Sequence, residues 1–171
     1  MEFVKIVAFS VAAGIAYGIV HDQVTAHLCV EYFTIAHPPV IPTRSPFLLA
    51  IGWGIIATWW VGLPLGIALG LVARLGPPPR LSLADLRPLI FRLLVAMALL
   101  AVAAGALGAY LVATGRAPVP GGWAEVIPPA KQVAFSADAW AHLASYLSGI
   151  FGGLAIIVYA LWLRIAGTGK K

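Results

Sequence analysis

Residues 89–113 read LIFRLLVAMALLAVAAGALGAYLVA, and this stretch decides the fold class. Its only charged side chain is Arg92. A helix needs about 20 such residues to cross a hydrocarbon core of roughly 30 Å. Further apolar stretches of about the required length occur elsewhere, so the sequence predicts an all-α integral membrane four-helix bundle that forms a single domain over residues 1–171. The predicted spans are Phe3–Val20, Phe47–Val72, Leu89–Ala113 and Trp140–Ile165.

The composition excludes several other classes of protein. Of the 171 residues, 61% are hydrophobic and 10% are charged, whereas soluble domains have about 25% charged residues. Low charge and abundant apolar residues are also the opposite of a disordered composition. Cys29 is the only cysteine, so no intramolecular disulfide can form. The net charge of +5 suits contact with anionic lipid headgroups, and no nucleic-acid partner is expected.

The distribution of basic residues predicts the orientation. Short cytoplasmic loops carry the excess of Lys and Arg. In a four-span arrangement, one side would hold most of the basic residues, namely Lys5, Arg74, Arg80, Arg87, Arg92, Arg164, Lys170 and Lys171, and the other side would hold Arg44, Arg116 and Lys131. We therefore expect both termini to be cytoplasmic, in a bacterial inner membrane. A cleaved signal peptide is the alternative for the first span, although the apolar run continues as far as Val20.

Small residues spaced by four recur in every predicted span. Helices in lipid associate where such residues allow their backbones to approach closely. The pattern predicts one compact bundle, and Pro64 should kink the second span near Trp60. The small-residue faces are Ser10, Gly14 and Gly18; Gly62, Gly66 and Gly70; Ala101, Gly105 and Ala109; and Ser145, Gly149 and Gly153.

The histidines all fall on the predicted outer side of the membrane. His21 continues the small-residue face of the first span, and His142 continues that of the fourth, because residues three and four apart share a helix face. The topology places both at similar depth, so we expect the two rings to converge. His37 precedes two prolines and is expected to be a loop residue, and Cys29 is expected to be a small buried residue.

Converging imidazoles near carboxylates predict a metal site. The predicted ligands are His21, Glu31 and His142, the predicted catalytic groups are Asp22, Asp138 and Tyr146, and the predicted ion is Zn²⁺ or iron. Asp22 and Asp138 are also alternative carboxylates for the ion. The competing interpretation is that the histidines only hydrogen-bond to carboxylates or tyrosines and fix the helix ends.

Glu31 can join this site only if the chain turns soon after Gln23. An unbroken helix would separate His21 from Glu31 by about 15 Å, at a rise of about 1.5 Å per residue, which is too far for one ion. The intervening residues are compatible with either helical or extended backbone.

One part of the chain resembles a known group of proteins. Tyr17–Thr25, with the sequence YGIVHDQVT, is followed by EYFT at Glu31–Thr34. This pairing resembles an uncharacterised family of bacterial multi-pass membrane proteins. The resemblance implies a four-helix membrane protein and carries no activity or cofactor. It singles out His21, Asp22, Gln23, Glu31, Tyr32, Phe33, His142 and Tyr146.

Two classes of function remain open from the sequence. The first is a metal site that acts on a small or lipid-soluble substrate. The second is an accessory or structural subunit of a larger membrane complex, with the loop from Gly115 to Asp138 as a docking surface. A homo-oligomer is also compatible with the sequence, whereas the absence of a visible internal repeat disfavours a transporter.

Overall fold

The computed structural model describes residues 1–168, so Lys170 and Lys171 lie outside the described part of the chain. No β-strand occurs within residues 1–168. Two short 3₁₀ turns, Pro120–Glu125 and Pro129–Lys131, lie in the loop before the last helix. The α-helices are α1 (Glu2–Leu28), α2 (Val30–Thr34), α3 (Pro46–Ile56), α4 (Trp59–Arg74), α5 (Leu83–Ala113) and α6 (Gln132–Thr168).

The prediction of an all-α bundle with four apolar spans is confirmed. Four helical segments are long and apolar enough to cross a membrane: Glu2–Leu28, Pro46–Arg74, Leu83–Ala113 and Pro129–Gly167. The first and last helices are longer than predicted. The first continues to Leu28 and the last begins at Gln132, because polar residues in both extensions are buried inside the bundle instead of breaking the helices.

The helices pack as two groups, with α1 on α3 and α4, and α5 on α6. Glycines allow the closest approaches within each group. A Cβ atom on Gly18 would lie 2.6 Å from the carbonyl oxygen of Gly54, and one on Gly105 would lie 3.1 Å from that of Ala137. By contrast, a Cβ atom on Gly153 of α6 would lie 2.8 Å from a methyl carbon of Leu65, which belongs to α4 of the other group. The closest backbone approaches therefore occur inside each group, whereas at Gly153 a side chain fills the space between the groups.

The second span is broken between α3 and α4. The break lies at Ala57 and Thr58, whereas the sequence predicted a kink closer to Trp60. Pro64 cannot donate a hydrogen bond to the carbonyl of Trp60, which weakens the first turn of α4. Thr58 then stabilises the end of α3, because its hydroxyl donates to the carbonyl of Gly54 at 2.5 Å.

Contacts at one end of the bundle bring α1, the α4–α5 loop and the end of α6 together. The backbone N–H of Leu83 donates to a carboxylate oxygen of Glu2 at 3.2 Å. The guanidinium of Arg164 donates to the carbonyls of Pro79 at 2.8 Å and Pro77 at 2.7 Å, and also to that of Val72. All four histidines lie toward the opposite end, which the α5–α6 loop covers.

Candidate metal centre

The first half of the site comes from the end of α1. His21 lies one helical turn after Tyr17, and their rings stack with centroids 5.7 Å apart. The Tyr17 hydroxyl shares a hydrogen bond of 2.7 Å with the Ser145 hydroxyl of α6, which ties the two helices together just below the histidine. Asp22 follows His21 and is 4% exposed. Helix α1 therefore presents an imidazole and a buried carboxylate toward α6.

The second half of the site comes from α6. His142 Nδ1 lies 2.8 Å from the backbone carbonyl of Asp138, one turn earlier on the same helix. A carbonyl can only accept, so Nδ1 must carry a proton and donate it. That bond orients the ring and directs Nε2 toward Asp22, whose Oδ1 lies 3.2 Å away. The contact is well shielded, with side-chain exposures of 12% for His142 and 6% for Asp22.

This geometry requires a positive centre between the two groups. With Nδ1 protonated, the Nε2 of a neutral His142 has a lone pair that faces a carboxylate oxygen, and two acceptors at this distance repel each other. Either a proton or a metal ion must lie between Nε2 and the carboxylate of Asp22. Both would make the contact favourable, so the choice depends on the surroundings.

The surroundings supply a third donor atom. The rings of His21 and His142 meet edge to face with centroids 4.5 Å apart. One ligand atom each from His21, Asp22 and His142 lie within 4.8 Å of one another. His21 Nε2 is buried and has no hydrogen-bond partner among residues 1–168. A buried ring nitrogen without a protein partner is a candidate for binding an ion or a small molecule.

The donor set fits a divalent transition metal. Two imidazoles and one carboxylate suit Zn²⁺ with an open fourth position, or ferrous iron in the arrangement of two histidines and one carboxylate. A tetrahedral ion with bonds of about 2.1 Å holds its ligands roughly 3.4 Å apart. The separation of 3.2 Å between His142 and Asp22 is already close to that value, and the ligand atom of His21 lies within 4.8 Å of both.

The structure places the predicted ligand Glu31 elsewhere. The helix is interrupted at Cys29 and not near Gln23, so α1 continues past the site before α2 begins. One carboxylate oxygen of Glu31 lies 3.7 Å from Lys131 Nζ, and the other accepts from the Cys29 thiol at 3.4 Å. Asp22, predicted as a catalytic group, is the carboxylate that lies together with His21 and His142.

The other two predicted catalytic groups lie next to the site. Asp138 is fully buried, and neither of its carboxylate oxygens has a hydrogen-bond partner in the described part of the chain. Its backbone carbonyl holds the His142 ring. The Tyr146 hydroxyl donates to the carbonyl of Ala57 at 3.3 Å, at the break between α3 and α4. Tyr146 also lines the cavity described below.

A small aromatic cap covers the site from the outer end. Tyr32 of α2 stacks on His142 with centroids 4.5 Å apart, and Phe33 contacts the same ring at 5.7 Å. His37 Nδ1 lies 2.8 Å from the carbonyl of Tyr32, and its ring lies 4.7 Å from that of Trp53. Burial lowers the pKa of His37 and raises that of Tyr32, so both are neutral at pH 7. The remaining histidine, His27, is exposed on α1.

A cavity of about 150 Å³ extends from this group between the two helix groups. Its outer end is lined by His21, Asp22, His37 and His142, and its inner part by apolar side chains such as Leu93. Our sequence reasoning missed Trp53 and Thr58, which also line it. Thr58 could have been singled out from the sequence, because it is the only residue with a hydroxyl group in the predicted second span.

No protein-family model matches the chain, and no curated protein or solved structure matches it either.

Proposed function

We propose that the protein is a membrane metalloprotein in which His21, Asp22 and His142 hold one divalent ion, Zn²⁺ or iron. The four apolar helices fit a membrane protein. The observation that carries the proposal is the group of two partly buried imidazoles and one buried carboxylate, whose ligand atoms lie within 4.8 Å of one another. The unpartnered Nε2 of His21 supports a metal over a single shared proton, because one proton between His142 and Asp22 leaves that atom unsatisfied.

The surrounding residues would position the ligands. The carbonyl of Asp138 fixes the tautomer of His142 that leaves Nε2 free for coordination, a common arrangement around metal-binding histidines. Stacking of Tyr17 on His21 and of Tyr32 on His142 restricts both rings. A divalent ion in such a site supplies Lewis acidity or, for iron, redox chemistry. The aromatic cap would limit the access of bulk water to that chemistry.

The proposed substrate is a small or lipid-soluble molecule, because the site opens into an apolar cavity within the bundle. We place the site near the outer face of a bacterial inner membrane. The distribution of basic residues supports this orientation, because the end of the bundle opposite the histidines holds Arg74, Arg80 and Arg164.

Metal analysis of the purified protein tests the proposal. We expect about one zinc or iron ion per chain in the natural protein and a loss of nearly all of it in His21→Ala and His142→Ala, because each removes a ligand from a three-residue set. His27→Ala is the matched control, since it removes an exposed histidine from the same helix as His21. A protein that carries no ion, or variants that keep it, would contradict the proposal.

The same purification tests the alternative of a subunit without its own chemistry. The α5–α6 loop offers less docking surface than its sequence suggested, because Ile127 is 1% exposed and packs in a cluster with Cys29 and Phe135. We therefore expect a monodisperse particle that contains only this chain. A metal-free protein that purifies only with partner chains would favour the subunit function.

A further inference from the structure

The cavity is polar at one end and apolar along the rest of its length. Its outer end contains the His21, Asp22 and His142 group, and its inner part is lined by Leu65, Leu93 and other apolar residues down to Ile157. A ligand that matched this lining would therefore need one polar end and an apolar body. Water would match only the first of these requirements.

The cavity is also narrow. A volume of about 150 Å³ matches engineered apolar cavities that take one benzene-sized molecule. Gly149 forms part of the wall, and its added Cβ would lie 3.0 Å from the end of the Met97 side chain. Gly14 and Gly153 line the cavity as well. Glycines widen the space only locally, so a single slim chain or ring fits, whereas a branched or two-chain lipid does not.

The lining of the cavity selects a neutral polar group. Most of the wall around the His21, Asp22 and His142 group is apolar, so a charged headgroup would lose its hydration on entry at a large cost in free energy. A hydroxyl or carbonyl oxygen carries a much smaller cost, and the proposed ion offers it a partner. Tyr146 also lines the cavity, and because its hydroxyl donates its proton to the carbonyl of Ala57, its oxygen remains free to accept a hydrogen bond from a ligand hydroxyl.

We propose that this cavity binds a slim, neutral, oxygen-terminated hydrocarbon, such as a single-chain alcohol, with its oxygen at the His21, Asp22 and His142 group and its chain between the two helix groups. This assignment rests on the proposed function, because the proposed metal ion is the partner of the ligand's oxygen. It defines the substrate as a molecule with a slim apolar body and one neutral polar end.

Photolabelling of the purified, detergent-solubilised protein tests this assignment. The probe is a diazirine derivative of 1-hexanol, with 1-hexanol and n-hexane as competitors. We expect saturable labelling of cavity residues such as Met97 and Tyr146. We also expect n-hexane to compete about five- to tenfold more weakly than 1-hexanol, because it lacks the hydroxyl that binds at the outer end. Labelling that is not saturable, or equal competition by both molecules, would overturn the proposal.

Variants that fill the cavity make the test specific. Gly149→Leu should reduce saturable labelling at least tenfold, since the new side chain displaces only flexible neighbours and enters the ligand's space. Ala155→Leu, at an exposed position of the same helix, is the control and should label like the natural protein. If Gly149→Leu does not fold, Val61→Phe fills the same cavity from α4. Unchanged saturable labelling in a folded cavity-filling variant would refute the assignment.

Metal content separates the two proposals. Gly149→Leu touches no ligand, so its metal content should equal that of the natural protein. Saturable labelling in a protein without metal would support the cavity and contradict the proposed metal function. Retained metal without saturable labelling would contradict the cavity assignment alone.

Discussion

Asp22→Asn separates a metal ligand from a structural ion pair. The substitution is nearly isosteric, and the amide can still donate to His142 Nε2, because Nδ1 of that ring is already committed to the carbonyl of Asp138. The variant therefore keeps a hydrogen bond and loses the carboxylate charge. If the carboxylate binds a metal, the metal-free protein should lose less than about 1 kcal/mol of stability.

The response to metal should change much more. At a zinc concentration 100 times the dissociation constant, binding stabilises the folded protein by about 2.7 kcal/mol, which for a chain of this size raises Tm by roughly 5 to 11 °C. Substitution of a residue that only hydrogen-bonds to a metal ligand can weaken metal binding by about 100-fold. Loss of a direct ligand should therefore weaken it at least as much. At the same zinc concentration the stabilisation of Asp22→Asn would then fall to about 0.4 kcal/mol, a shift in Tm of less than about 2 °C.

The assay is a thermal unfolding series in detergent, with EDTA or with added Zn²⁺. Glu125→Gln is the control, because it makes the same chemical change at an exposed acid. A purely structural contact between His142 and Asp22 gives a different pattern. Neither the natural protein nor Asp22→Asn would then respond to zinc, and the two proteins would differ by the same small amount with EDTA and with Zn²⁺. That pattern would refute the metal site.

Other predictions concern the packing that supports the site. Burial raises the pKa of the Cys29 thiol to about 11, so at pH 8 roughly 0.1% is thiolate, and a membrane-permeant maleimide should label the folded protein far more slowly than the chain unfolded in SDS. In Gly54→Ala the new Cβ would lie 2.5 Å from a backbone nitrogen of α1, so Tm should fall by about 2 to 12 °C, as expected for overpacking of about 1 to 3 kcal/mol. Gly149→Ala, which meets only the end of a flexible side chain, should change Tm little in the same assay. Arg164→Gln removes hydrogen bonds to the α4–α5 loop, so trypsin should cleave after Arg80 faster than in the natural protein.

The spans were predictable because their apolar runs greatly exceed what a soluble fold of this size would contain. The convergence of His21 and His142 was also predictable, since helical periodicity fixes the face and topology fixes the depth. The carboxylate was not predictable in the same way. Asp22 and Glu31 were both candidates, and the choice depended on whether the helix broke at Gln23 or at Cys29. No strong breaker such as Pro or Gly lies in that stretch, and the burial of Thr25 and Ala26 by neighbouring helices keeps it helical.

The cavity could not be predicted from the sequence either, although the sequence contains every residue that lines it. Each span carries a small-residue face, and the pattern does not say which faces meet. The position of the break between α3 and α4 could not be predicted either, because Pro64 weakens a whole turn. The Thr58 hydroxyl, which donates to the carbonyl of Gly54, stabilises the end of α3 within that turn. Both features depend on contacts between distant parts of the chain.

The pairing of the glycine faces explains why the two histidines have room for a ligand. From the sequence, close contact between α1 and α6 was expected to bring the rings together. In the structure, Gly14 and Gly18 face α3 and α4 instead, and Gly149 faces α5. If the backbones of α1 and α6 were in direct contact, they would fill the space in front of the rings. A small molecule could then not reach the imidazoles. Because Gly14, Gly18 and Gly149 are used within the helix groups, and Gly153 meets only the Leu65 side chain of α4, the rings meet across the end of a cavity, where an ion held between them would be accessible from that cavity.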